Sequence, residues 1–240
     1  FIIDTQHEGL INMNALPLAF KYKEKNSEAV GNLLLPLNKP ASIPEKAIEL
    51  VKNIIDNMNI VLQQLVPGLT IGVVDLGPEV SKEGKIGRLI QLMSLKNEKA
   101  IPFQYESEGI KKIVSILQLL TVVYNNPSIA VAIDELDSGI FEYLLGELLN
   151  IISEKGKGQL IFTSHNLRPL ETIDKGFIAF TTTNPDNRYI RMTNVKVNNN
   201  LRDFYYRDIV LGEQSEPVYS PTNNYEIALA FREAGEAFGS

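Results

Sequence analysis

The chain of 240 residues carries 23 Lys and Arg against 29 Asp and Glu, a formal charge of -6, with 44% hydrophobic residues, two His and no Cys. That length holds one large domain or two small ones with a sizeable core, and the acidic balance argues against a nonspecific grip on nucleic acid while leaving room for a local basic patch. The absence of cysteine excludes disulfides and thiolate metal sites, two histidines speak against a histidine-rich metal centre, and an intracellular, cytoplasmic home is expected.

Residues 10–23 alternate weakly and read as a strand, with Pro17 placing it at an edge or a bulge. The N-terminus, Phe1-Ile-Ile-Asp4, has neither an initiator Met nor a signal pattern and reads as a chain entered midway. Residues 32–40 read as a loop. Ser42-Ile-Pro-Glu45 has the pattern of a capping box with proline in the first turn. The helix it predicts carries Ala47, Val51, Ile54, Ile55, Met58, Val61, Leu62 and Leu65 at apolar positions and stops at Pro67-Gly68. Residues 70–75 and 86–95 read as strands around a turn. Ser107 is placed to cap the next helix, with Ile110, Ile113, Val114, Leu117, Leu120 and Thr121 on one face and Asn125-Asn-Pro127 as its end.

An apolar run from Ile129 follows, then a helix over 139–154. Gly156-Lys-Gly158 turns into a second apolar run ending at His165. Residues 177–182 and 188–193 read as a hairpin around Asn184-Pro-Asp-Asn187, and residues 225–237 as a helix. No repeat and no domain linker is evident, and no apolar run approaches the roughly 20 residues of a membrane span. The strand-helix-strand-helix order over 105–182 predicts an α/β fold, a mostly parallel sheet flanked by helices with additional antiparallel strands, in a single domain over 1–240.

Two strand ends hold the chemistry. Ile129-Ala-Val-Ala-Ile-Asp134-Glu135-Leu-Asp137 is the composition of a buried strand that delivers carboxylates to the rim of a parallel sheet, where α/β proteins place ligands. A carboxylate at the position of Asp134 can hold Mg²⁺ through water. Glu135 can orient or deprotonate an attacking water. The plain alternative is a solvated strand terminus that is acidic by accident. His165 can hydrogen-bond a γ-phosphate or a catalytic water, whereas a lone histidine after Thr-Ser is more often a capping or surface residue.

Glu106-Ser107-Glu108-Gly109-Ile110-Lys111-Lys112 opens a helix with a hydroxyl, free N–H groups and the positive end of the helix dipole, a combination suited to phosphate. Its plain reading is an N-cap with both lysines on the wet face. Two glutamates would oppose an anion there, with Lys111 and Lys112 partly offsetting them. Asp137 is either a turn-former that caps the next helix or a loop residue that meets a partner subunit. No Gly-x-x-x-x-Gly-Lys-Ser/Thr loop occurs in the 240 residues.

The order of these elements resembles the C-terminal lobe of an ABC-type ATPase head, a P-loop NTPase-like fold. It is similar more narrowly to the ABC-like AAA-family ATPases found beside structural-maintenance-of-chromosomes and overcoming-lysogenisation-defect proteins. The resemblance implies that Ser107 and Gly109 belong to the signature loop, and that Asp134 is the Walker B magnesium carboxylate. It makes Glu135 the catalytic base, Leu136-Asp137 the D-loop and His165 the switch histidine. Glu106, Glu108 and Ile110 depart from the usual signature.

The implied activity is hydrolysis of ATP with Mg²⁺ by two copies of the head that sandwich nucleotide. The partners would be a second copy, an N-terminal lobe bearing the Walker A loop, and an effector protein or DNA. Lys111 joins Ser107, Gly109 and Asp137 as a nucleotide-binding candidate. Two readings compete. A nucleic-acid-associated structural or effector module would need a basic groove. A metal-dependent nuclease of the Toprim kind wants an Asp-x-Asp strand end plus a distant Glu, a spacing that Asp134-Glu-Leu-Asp137 lacks.

Overall fold

The computed structural model describes residues 15–24, 27–80, 84, 86–193, 200–212 and 214–236. The start at Phe1 and residues 10–14 of the first expected strand lie outside the described residues. Two compact units emerge, Phe1–Asn166 and Leu167–Ser240.

In the first unit, β1 (Ala15–Glu24) and β2 (Ser27–Pro36) form an antiparallel ladder from Ala15 opposite Pro36 to Glu24 opposite Ser27. Leu16, Leu18, Leu35 and Leu37 are buried. The loop expected over 32–40 is therefore shorter, because pairing with β1 holds the Leu-rich end of β2 extended as far as Pro36.

β3 (Ala41–Ile43) leads through a 3-10 turn into α1 (Ile48–Leu65). The expected capping box is not formed. Ser42 sits in β3 opposite Leu89, and the N-cap, Ala47, makes no side-chain cap bond. Val51, Ile55, Met58 and Leu62 make the buried stripe of α1 at helical spacing. Each such burial contributes about 1.5–3 kcal/mol. The stripe packs toward β4 (Leu69–Val80), where Leu69 and Ile71 are also buried. Asn59 fixes the register of this contact, donating to Ile71 O and accepting from Ile71 N, both at 2.8 Å.

β4 pairs with β5 (Ile86–Lys96) across a bulge between Asp75 and Gly77, and β6 (Lys99–Pro102) and β3 also pair with β5. All these pairings are antiparallel, which corrects the expectation of a mostly parallel sheet. Short connections such as Asn97-Glu98, both at positive φ, join neighbouring strands directly, and such links build hairpins rather than crossovers.

Parallel pairing is confined, among the described residues, to β7 (Ala130–Ile133) and β8 (Gln159–Phe162). α2 (Glu108–Asn125) precedes β7, and α3 (Glu142–Lys155) connects the two strands. α2 is the central helix, with Ile113, Val114, Ile116, Leu117, Leu120 and Val123 buried. Gly158 lets the entry to β8 lie against the end of α2. Its N–H donates to Val123 O at 2.8 Å, and a Cβ there would stand 2.7 Å from the carbonyl oxygens of Asn126 and Ile129.

In the second unit, α4 (Pro169–Thr172), the two-residue strands β9 (Phe180–Thr181) and β10 (Tyr189–Ile190), α5 (Leu201–Leu211) and α6 (Asn224–Glu236) follow in order. The hairpin expected around Asn184–Asn187 is present with shorter strands. Tyr205 stacks on Phe180 with ring centroids 5.2 Å apart, and Glu171 accepts from Arg168 at 2.6 Å and Arg202 at 3.1 Å. Those ion pairs hold the Glu171 carboxyl below its ordinary range, Arg168 contributing first and Arg202 second.

Candidate functional site at the β7 and β8 strand ends

β7 ends in alternating burial that aims its acids outward. Ile133 and Leu136 are buried, Asp134 and Glu135 exposed. Leu136 and Ile140 reach down to the apolar surface of Ile116, Leu120, Leu145 and Leu149, which anchors the acid loop from below. Glu135 takes a left-handed backbone, φ 47, rare for a residue with a Cβ and disfavoured by about 1–2 kcal/mol.

β8 meets this loop residue by residue. Thr163 N donates to Ile133 O at 3.1 Å, Leu136 N donates to Thr163 O at 3.0 Å, and Glu135 N donates to Thr163 Oγ1 at 2.8 Å. The Thr163 hydroxyl in turn donates to Asp134 Oδ1. The Asp137 carboxylate accepts the backbone N–H of His165 at 3.3 Å and of Asn166 at 3.0 Å. It therefore fastens the turn after β8 to the turn after β7 within one chain. His165 Nε2 lies 3.7 Å from Glu135 Oε1, beyond hydrogen-bonding distance, and its side chain is 86% exposed.

The start of α2 abuts the same loop. Ser107 caps the helix, accepting from Ile110 N at 3.3 Å. Gly109 lies against Gly139, itself at φ 75, so closely that an added Cβ would stand 2.5 Å from Gly139 O. Lys111 is buried and its ammonium pairs with Glu108 at 2.9 Å, so its charge is engaged within its own helix turn.

Lys112 is 3% exposed, not on a wet face. Three residues beyond Gly109, it shares the helix side that meets the acid loop. Burial holds its ammonium below the ordinary lysine range, while Asp137, Glu135 and Asp134, in that order, pull it back up.

The structure thus brings Asp134, Glu135, Asp137 and His165 to one strand rim and sets the Ser107–Gly109 turn beside it. Sequence reasoning missed Thr163 and put Lys112 on the wet face of its helix, where it is buried. The only signal for Thr163 was a hydroxyl two positions before His165, and for Lys112 a cation one helical turn after Gly109. Among the described residues no group of three or more His, Cys, Asp or Glu side chains is arranged to hold a metal, and no helix is long and apolar enough to cross a membrane.

No family model matches the chain, and no curated protein does. Solved structures of SMC heads are similar to it. One, from work on ATP-driven dimerisation and DNA-stimulated activation of SMC ATPases, is 12% identical over 70% of this chain and 97% of that chain, with a TM-score of 0.49. The SmcHead bound to the C-winged helix domain of ScpA is 16% identical over 48% of this chain, with a TM-score of 0.37. The chain spans 35% of the length of that head. The Smc head with a coiled coil and joint from Pyrococcus yayanosii is 15% identical over 53% of this chain and 24% of that chain, with a TM-score of 0.40. Each likeness is partial and low in identity.

Proposed function

We propose that this chain is the catalytic lobe of an ABC-type head that hydrolyses ATP between two copies of itself, with a Walker A loop supplied by residues outside these 240. The observation that carries this reading is the convergence of Asp134, Glu135 and His165 on one exposed rim, tied by Thr163 and Asp137.

The residues present fit a magnesium–nucleotide complex. Asp134 would hold Mg²⁺ through Oδ2, a hard carboxylate oxygen, and one or two carboxylates with water and phosphate are the usual set for that ion. When bound, Mg²⁺ neutralises charge on the transferring phosphoryl group. Glu135 orients the attacking water and takes its proton. His165 stands 3.7 Å from the Glu135 carboxylate, close enough to sense the γ-phosphate and water that Glu135 engages. Ser107 and the N–H groups beside Gly109 serve the nucleotide held by the opposite copy. Because Gly109 touches Gly139, each copy's signature turn moves with its own acid loop.

The test is sedimentation of the full-length protein carrying Glu135→Gln. The account expects an ATP-dependent shift from monomer to dimer that persists, because the water is no longer activated. A variant that sediments identically with and without ATP and Mg²⁺ counts against the reading.

A further inference from the structure

Every hydrogen-bonding group of Thr163 is spent on four consecutive residues. Its N–H donates to Ile133 O at 3.1 Å, its hydroxyl donates to Asp134 Oδ1, its Oγ1 accepts Glu135 N–H at 2.8 Å, and its carbonyl accepts Leu136 N–H at 3.0 Å. The direction of the hydroxyl bond is fixed by chemistry. Glu135 N–H can only donate, so it takes an oxygen lone pair, and the one hydroxyl proton is left for the Asp134 carboxyl oxygen, which accepts it.

We infer that Thr163 is the positioning residue of the proposed hydrolytic site, holding Asp134 and Glu135 in the relative geometry that the reaction needs. The inference rests on the reading of Glu135 as base. Two constraints converge on this hydroxyl. The left-handed backbone of Glu135, at φ 47, directs where its side chain leaves the chain, and the bond from its N–H to Thr163 helps hold that conformation, beside the Ser138 N–H on its carbonyl at 3.1 Å. Occupation of Asp134 Oδ1 fixes the carboxylate rotation and leaves Oδ2, which makes no hydrogen bond among the described residues, for a cation. The hydroxyl therefore sets both acids at once, across 28 and 29 residues of sequence. Without the hydroxyl, the backbone pairing would hold Ile133 and Leu136, and Glu135 would keep only the Ser138 N–H on its carbonyl at 3.1 Å.

Valine matches the shape of threonine and lacks the hydroxyl, whereas serine keeps the hydroxyl and lacks the methyl. The experiment compares ATP turnover by the full-length protein with Thr163→Val, Thr163→Ser and Glu135→Gln. Thr163→Val should lower kcat by about 10- to 100-fold, as a small misplacement of a catalytic group does, with KM for ATP changed by no more than about 2-fold. Thr163→Ser should recover kcat to within about 3-fold of the parent, on the same positional argument. Backbone amide exchange at Glu135 should accelerate in Thr163→Val and not in Thr163→Ser.

Turnover is expressed per folded molecule, because a merely structural role would lower the folded fraction and with it the apparent kcat, leaving the rate per folded molecule at the parental value. Parental kcat in Thr163→Val, or a loss in Thr163→Ser as large as in Thr163→Val, overturns the inference. If Glu135→Gln also turns over ATP at the parental rate, what fails is the underlying reading of the base. A dead Glu135→Gln beside a fully active Thr163→Val removes Thr163 alone.

Discussion

Gly109 and Gly139 touch backbone to backbone. The Gly139 carbonyl oxygen stands where a Cβ on Gly109 would approach it to 2.5 Å. Neither partner has a side chain to swing aside, so Gly109→Ala must displace the α2 N-terminus or the acid loop. Overpacking of this kind costs about 1–3 kcal/mol. Urea unfolding should show a lower midpoint with an unchanged slope, and an unchanged midpoint would show that the contact yields freely.

The Asp137 carboxylate holds the backbone N–H groups of His165 and Asn166, so Asp137→Ala leaves the His165 donor to water and the Asn166 donor to Ser164 Oγ at 3.1 Å. A hydrogen bond to a charged group contributes about 1.5–3 kcal/mol, less where water competes, and a loss of about 1–2 kcal/mol is expected for this half-buried carboxylate. Amide exchange at His165 and Asn166 should quicken in the same variant. Asp137→Asn, with one acceptor oxygen left, should fall between the two. Exchange at the parental rate in Asp137→Ala would mean that the His165 turn is held by other contacts.

Lys112 gives a pH signature. Its folded pKa lies below the ordinary lysine value, because burial disfavours the charged form by more than Asp137, Glu135 and Asp134 restore. Between the lowered pKa and the ordinary one, the unfolded chain binds more protons than the folded chain. Stability from this group therefore rises with pH across that window, and the burial penalty is fully present below it. Lys112→Met removes the penalty at every pH. Measured against the parent, its stability should compare best at neutral pH, and the advantage should shrink as pH climbs into the lysine range. A difference that stays constant with pH would place the ammonium in water.

Much of this site was legible in the sequence because its signals are local. The Ile129–Ile133 run predicts β7, and Ser107 caps α2 where the pattern placed it. Gly68, at φ 81, follows the end of α1 as Pro67-Gly68 indicated. What escaped depends on contacts distant in sequence. Leu33 to Pro36 look like a loop until β1 lies beside them. Ser42 and Glu45 match a capping box, yet pairing of Ser42 with Leu89 claims the serine for a strand. Lys112 sits where a charged residue suggests solvent, yet it is buried one helical turn past the close approach of Gly109 to Gly139. Thr163 is an ordinary strand-end threonine until its 28-residue separation from Glu135 closes.

The central claim is that Glu135 activates water at a nucleotide shared by two heads. Single-turnover hydrolysis of ATP by the full-length Glu135→Gln protein, at saturating Mg²⁺, tests it most directly. The account predicts a rate lower by about 10²- to 10⁴-fold, the range for loss of a general base, with ATP still bound. Hydrolysis at the parental rate would contradict it.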